Sequence, residues 1–195
     1  MLQNSILRAR ARQQLGKSLF DNAWILLVVT LVLYSAAVSI GSYVIVGGIL
    51  VEGLFWFGIS GMLLSVVRGT KPVPDIQDMV VGLPRLGELF VLALLRNLFL
   101  LLWGLIPIVG IVKMHSYAMT YYIKNDHPEY DWRMCITESR RMMDGHKWQL
   151  FCLNLSFIGW TIVGMLCLGV GIFWANAYHR LAEANFYEAL LDAEG

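Results

Sequence analysis

Residues 22–51 read NAWILLVVTLVLYSAAVSIGSYVIVGGILV, and no charged side chain occurs between Asp21 and Glu52. A bilayer core of ~30 Å is crossed by about 20 apolar helical residues. The run therefore holds one full span and the start of a second, and the expected spans are 23–41 and 49–67, joined by an uncharged turn at 42–48. A signal peptide has a short apolar core before a small-residue cleavage site. The 23–41 stretch is longer and leads straight into another span, so it is expected to remain in the mature protein.

The rest of the chain has the same character. Of its 195 residues 57% are hydrophobic and 15% charged, with mean hydropathy +0.61; a soluble domain carries roughly 25% charged residues. Fifteen Lys and Arg against fourteen Asp and Glu leave a net charge of +1, which offers no basic face to nucleic acid. Seven Trp, nine Phe and eight Tyr exclude a disordered chain. The expected class is an all-α polytopic membrane helix bundle, a single integral membrane domain over 1–195.

Further apolar stretches place spans at 89–105, 108–123, 148–166 and 172–191, with Pro107 breaking the third from the fourth and Gly169 and Gly171 marking the last turn. The fourth and sixth carry Lys113, His115, His179, Arg180 and Glu183, so four spans are the fallback to six. The charge map favours six. Segments 42–48, 106–110 and 167–171 hold no charge, while Arg8, Arg10, Arg12, Arg68, Arg85 and Arg133 all fall in the other connections or the N-terminal segment. Lys and Arg near span ends collect on the cytoplasmic side, which puts both termini inside and three short turns outside. The cysteines (Cys135, Cys152, Cys167) are expected to be free thiols, since cytoplasmic thiols stay reduced.

Segments 2–17, 74–85 and 131–144 read as amphipathic helices on the inner surface, each preceding an outward span. Ile76, Met79, Val80 and Leu83 form an i, i+3, i+4, i+7 stripe; Asp75 and Asp131 stand where caps belong; and such helices are expected in the headgroup region. The junctions Gly16-Lys17-Ser18-Leu19-Phe20, Gly87-Glu88-Leu89-Phe90 and Lys147-Trp148-Gln149-Leu150-Phe151 are alike. They suggest three copies of surface helix, outward span and return span, a parallel repeat of a kind known in transporters.

The second half carries a signature. Lys113, Ser116, Tyr117 and Met119 lead to Tyr122, Asp126 and Pro128; Ser139, Met142, Met143, Gly145, Lys147 and Trp148 follow, then Leu155-Ser156-Phe157-Ile158-Gly159-Trp160, Gly169, Gly171, Trp174, Tyr178 and Phe186-Tyr187. Arg68-Gly69, Pro72 and Gly82 agree in the first half. The chain resembles a family of uncharacterised bacterial integral membrane proteins, a domain of unknown function. The resemblance implies a multi-pass protein of the bacterial plasma membrane, but no reaction, cofactor or substrate. One departure is Ala177, where the family usually has Pro before the Tyr, so a kink expected in the sixth span is absent here.

Ionisable groups inside spans cost at least ~2.5 kcal/mol each at mid-membrane and so point to function. Glu52, Arg96, Lys113, Arg180 and Glu183 qualify. Glu52 and Lys113 lie at similar depth and are expected to form a structural ion pair. Asn176, His179, Arg180, Glu183 and Tyr187 share one helix face, as do Lys113, Tyr117, Thr120 and Lys124. The candidate ligand-binding residues are Arg96, Asn97, Lys113, Tyr117, Asn176, His179, Arg180 and Glu183, with Asn154 on a neighbouring helix. Two acids and three bases leave one surplus positive charge, suited to an anion or a phosphate headgroup; the same residues also serve as interhelical glue. No catalytic residue, metal site or cofactor is expected: the four histidines lack ligand spacing, and phosphate-loop and nucleophile motifs are missing.

Two classes of function remain. One is a non-enzymatic membrane-embedded binding or transport component for a small amphipathic or anionic ligand, lipid or peptide. The other is an accessory, protective or scaffolding subunit acting on other membrane proteins. The first is preferred; expected partners are the bilayer, a phospholipid or amphipathic ligand, and other membrane proteins, with no nucleic acid.

Overall fold

The computed structural model describes residues 4–15, 22–41, 45–71, 76–166 and 171–194. Side chains at 36–41, 45–47, 50, 76, 107–108, 166 and 194 lie outside that description. The described residues are helical and contain no strand: α1 (Asn4–Gln14), α2 (Asn22–Gly41), α3 (Ile45–Val67), two 3-10 turns (Ile76–Val80 and Leu83–Arg85), α4 (Leu86–Gly104), α5 (Pro107–Ser116), α6 (Thr120–Asp126), α7 (Trp132–Met142), α8 (Lys147–Leu166) and α9 (Gly171–Glu194). The junction at 16–20, residues 42–44 and 167–170 of the turns expected outside, Cys167 and the cap expected at Asp75 with its prolines fall outside the described residues. The chain divides into two compact units, one of Met1–Tyr34, Met62–Ile76 and Trp148–Gly195, the other of Ser35–Gly61 and Gln77–Lys147.

In the first unit α1 packs on α9. The stripe Leu7, Ala11, Leu15 is 2%, 0% and 0% exposed, so the apolar face expected to enter the headgroups is consumed by protein. Tyr178 donates its hydroxyl to the Arg8 carbonyl at 2.9 Å, Asn185 donates to Gln14 at 2.6 Å, and Gln14 donates to the carbonyl of Val67, the last residue of α3. Around Tyr178 the rings of Trp24, Phe157 and Trp160 meet edge to face at 6.2, 4.9 and 6.2 Å, a geometry aromatic quadrupoles favour. Thr30 satisfies its hydroxyl on the Leu26 carbonyl and lies 3.9 Å from the Met62 sulfur.

In the second unit α4 and α5 make a tight hairpin. Pro107 opens α5, where its missing N–H costs nothing, and forces Ile106 into an extended conformation (φ −114°, ψ 100°). A Cβ on Gly110 would lie 3.1 Å from the Cα of Gly104, so glycine here lets the two backbones approach closely. The hairpin of α8 and α9 in the first unit has the same device, with a Gly164 Cβ 2.7 Å from the carbonyl carbon of Gly171.

Two expectations need correction. The fourth span, 108–123, is not one helix but α5 and α6, divided at Tyr117–Met119. Ser139 on α7 donates to the Ser116 carbonyl at 2.9 Å, while the Thr120 N–H goes to the Tyr117 carbonyl instead. A side chain inserted into the backbone ladder breaks a helix. Ten residues of α5 cover only ~15 Å at 1.5 Å each. Of the surface helix expected at 74–85, the described residues from 76 on form two 3-10 turns, and Pro84 has no N–H to continue an α-helical ladder. Of its stripe, Met79 is buried against Gly58 of α3 while Val80 and Leu83 are exposed. Within 131–144 the chain forms helix α7, capped by Asp131, which accepts the Met134 N–H at 2.8 Å; its buried face is Cys135, Ile136, Ser139 and Met142.

Two segments, Gln77–Gly104 and Lys147–Met165, are long and apolar enough to cross a membrane. Asn22–Ser35 and Val51–Val67 are shorter apolar helical stretches of the described residues.

The contact of Gly58 with the Met79 backbone sets a test. A Cβ there overlaps main-chain atoms of Met79, whereas nothing lies within 4 Å of one at Gly159. Replacing a mid-helix Gly by Ala otherwise gains about 1 kcal/mol. Thermal unfolding in detergent should show Gly159→Ala at or above the wild-type Tm and Gly58→Ala below it; equal shifts would remove the α3–Met79 contact from the fold.

Candidate functional site

The polar residues singled out by the sequence fall into two groups, one in each unit. In the second unit Gly53 of α3 meets α4 so closely that a Cβ would lie 2.8 Å from the Leu89 carbonyl and 2.9 Å from the Ala93 Cβ. One turn further along α4, this approach delivers Asn97 and Arg96 to Glu52. Asn97 donates to Glu52 Oε2 at 2.6 Å, and Arg96 Nη1 stands 3.6 Å from Oε1. The Arg96 guanidinium also faces the ring of Tyr121 on α6 at 5.3 Å, a cation–π distance. The side chains are 17% (Arg96) and 25% (Glu52) exposed, and Arg96 Nε is buried with no hydrogen-bond acceptor among the described residues.

The expected Glu52–Lys113 pair does not form. Lys113 lies 4.8 Å above the ring of Trp103 across the α4–α5 hairpin, so the helix contact at Gly53 gives Glu52 to Arg96 instead. Tyr117 is buried in the turn between α5 and α6, 6.4 Å from the Phe99 ring.

In the first unit the α9 residues satisfy one another. A His179 ring nitrogen meets Asn154 Oδ1 at 2.8 Å, and the ring packs edge-on against Phe157 at 4.9 Å. Arg180 Nη1 donates to Glu183 Oε2 at 2.9 Å, with Glu183 only 9% exposed. The face is not uniform: Asn176 is exposed and Tyr187 fully buried. Arg96 shares Glu52, though only through one nitrogen at 3.6 Å.

The sequence reading missed a third constellation, in the second unit. Lys124, 3% exposed, donates to Glu88 Oε2 at 2.9 Å, to the Pro128 carbonyl at 3.0 Å and to the Tyr130 carbonyl at 2.7 Å. All three ammonium protons are used, which is what a buried lysine requires. Beside it Asn125 donates to the Phe57 carbonyl, Ser60 Oγ and the Tyr121 carbonyl at 2.8–2.9 Å. A half-open cleft of about 480 Å³ lies over Lys124, walled by Glu88, Val91, Leu92, Glu129, Tyr130 and Trp132. Glu129 sits 3.2 Å from His127, whose ring stacks on Tyr130 at 4.4 Å; its carboxyl is held below the usual range by its backbone N–H and by His127. Burial pushes the Cys135 thiol up to about 11, leaving almost no thiolate at neutral pH. The available signals were Pro128 four residues after Lys124 and the cap at Asp131, neither of which announces a buried ammonium.

Residues 108–194 match the family described as "Protein of unknown function (DUF975)". The matched region begins in α5 and runs through α9. No curated protein and no solved structure matches the chain.

Two outcomes follow from these geometries. Lys124→Met strands two backbone carbonyls and should cost on the order of 2–4 kcal/mol, whereas Glu88→Gln, at a 61% exposed partner, should cost below about 1 kcal/mol; chemical denaturation of the detergent-solubilised protein compares them. For Glu52 and Arg96, the double variant Glu52→Gln/Arg96→Gln should be more stable than the sum of the single losses predicts, because each single change leaves a lone charge. Additive losses would show that the 3.6 Å contact contributes nothing.

Proposed function

We propose that this chain is a multi-pass protein of the bacterial plasma membrane that binds the polar head of a small amphipathic or anionic ligand at Arg96. Five continuous helices and the broken pair α5–α6 make the six crossings, both termini being cytoplasmic. What supports a bilayer environment is exposed apolar surface: Leu98, Leu101 and Leu102 on α4 are 54%, 69% and 55% exposed, and Ile158, Ile162, Val163 and Met165 on α8 are 51–59% exposed. Buried core helices would not show this, and water rarely faces such contiguous patches. Broken helices occur at membrane depth where protein groups satisfy the freed backbone, as Ser139 does at Ser116.

The observation that carries the binding role is the under-used Arg96 guanidinium. It has five N–H donors, yet its carboxylate contact is 3.6 Å long and Nε has no acceptor. A carboxylate or phosphate oxygen is the acceptor that matches such donors. The protein is read as non-enzymatic, with no cofactor, acting with the bilayer and its ligand. The second reading, an accessory or scaffolding subunit, is favoured by α9, whose Arg180 and Glu183 pair with each other and whose His179 bonds Asn154 of α8.

Impermeant thiol labelling of whole cells on a Cys-free background should modify a cysteine at Val109 and spare one at Glu129; labelling at Glu129 alone would reverse the topology. In the purified protein, Arg96→Gln should keep the fold while copurifying phospholipid or added anionic amphiphile falls severalfold. Loss of stability with unchanged lipid content would leave Arg96 as glue and decide for the accessory reading.

A further inference from the structure

Helix α1 carries Arg8, Arg10 and Arg12 and no acidic residue between Asn4 and Gln14. Its position is fixed by protein contacts. Leu7, Ala11 and Leu15 are buried, Tyr178 holds the Arg8 carbonyl, and Gln14 bridges Asn185 and the Val67 carbonyl. The helix cannot roll to insert its apolar face into lipid, because that face is occupied. Its exposed and half-exposed positions, among them all three arginines, are what it presents outward. Among the described residues none of the three makes an ion pair; Arg12 lies 5.4 Å over the ring of Trp24.

Two contacts give α1 a level. Arg12 stacks on the third residue of α2, and Gln14 bonds the last residue of α3. In the topology proposed above, these are the points where α2 leaves and α3 returns to the inner surface. In that topology the three guanidiniums stand at the depth of the inner headgroups.

We infer that α1 is a docking surface for anionic phospholipid headgroups of the inner leaflet, engaged by Arg8, Arg10 and Arg12 through charge rather than by insertion of the helix. The inference rests on the membrane reading but not on Arg96. Guanidinium is suited to phosphate because its donors pair bidentately with two oxygens, and fixing α1 in advance reduces the ordering cost of binding. A cation near an anionic leaflet strengthens attachment about fivefold at low salt. Three arginines acting together then give roughly a hundredfold, weakened as salt shortens the screening length.

The test titrates phosphatidylglycerol or phosphatidylcholine into the full-length protein in neutral detergent and follows Tm. Phosphatidylglycerol should raise Tm by mass action and phosphatidylcholine should not, and 0.5 M salt, ~4–5 Å of screening length, should remove most of the difference. Arg8→Gln/Arg10→Gln/Arg12→Gln should need roughly a hundredfold more phosphatidylglycerol for the same shift. The triple Lys variant should respond within a few-fold of wild type, which separates charge from loss of the Arg12–Trp24 contact. Arg140→Gln/Arg141→Gln, on α7, should respond as wild type. An unchanged phosphatidylglycerol response in the triple Gln variant, or equal responses to the two lipids, overturns the inference. Failure of the protein to enter phosphatidylcholine nanodiscs overturns the membrane reading, and this one with it; entry without lipid selectivity overturns this one alone.

Discussion

The hydrogen-bonding demand of two neighbouring side chains, Lys124 and Asn125, organises the second unit. An ammonium 3% exposed to solvent must place every proton or lose several kcal/mol. Lys124 does so by drawing Glu88 of α4 and the Pro128 and Tyr130 carbonyls onto one point. Asn125, facing the other way, takes acceptors from α3 at Phe57 and Ser60. Together they tie α3, α4 and the loop into α7 to the end of α6. A Cβ on Gly61 would lie 2.5 Å from Asn125 Oδ1, so the close fit extends to the helix surface that receives the amide. The break between α5 and α6 belongs to the same assembly: Ser139 captures the Ser116 carbonyl, and α6 can then run at its own angle against α7.

The placement of charge follows from helix approach rather than from depth. Glu52 and Lys113 stand at matching distances from expected outer turns, yet Gly53 lets α4 come so near α3 that Asn97 and Arg96 reach Glu52 first. Lys113 then rests on an aromatic face, which tolerates a cation without a carboxylate. The α9 groups close on themselves within a turn or onto the adjacent α8. The two clusters thus differ in what they leave over. The Glu52–Arg96 cluster keeps a donor without an acceptor among the described residues.

The hairpins α4–α5 and α8–α9 are built by one rule, glycine against glycine at the turn. Helices α4 and α8 begin at the two matching junctions, near Gly87-Glu88-Leu89-Phe90 and at Lys147-Trp148-Gln149-Leu150-Phe151. The second arms differ: α9 runs unbroken for 24 residues, while its counterpart is split into α5 and α6. The likeness of the two hairpins is therefore in their turns and starts.

The sequence by itself determined that the protein is helical, where most helices begin and end, and which ionisable residues sit inside apolar stretches. These are local properties: charge-free runs exceed the length of a bilayer core, Pro107 can only start a helix, and Asp131 caps α7 by accepting the Met134 N–H, three residues on, with its side chain. It did not determine which charges meet, that α1 spends its apolar face on α9, or that a serine 23 residues away breaks the fourth apolar stretch. Partner choice depends on how closely two backbones approach, and at Gly53, Gly58 and Gly61 that distance is set by the missing Cβ and by what packs against it from far along the chain. Residue spacing records which side chains share a helix face; only the packed structure decides what that face is turned toward, because burial and pairing are properties of two elements and not of one.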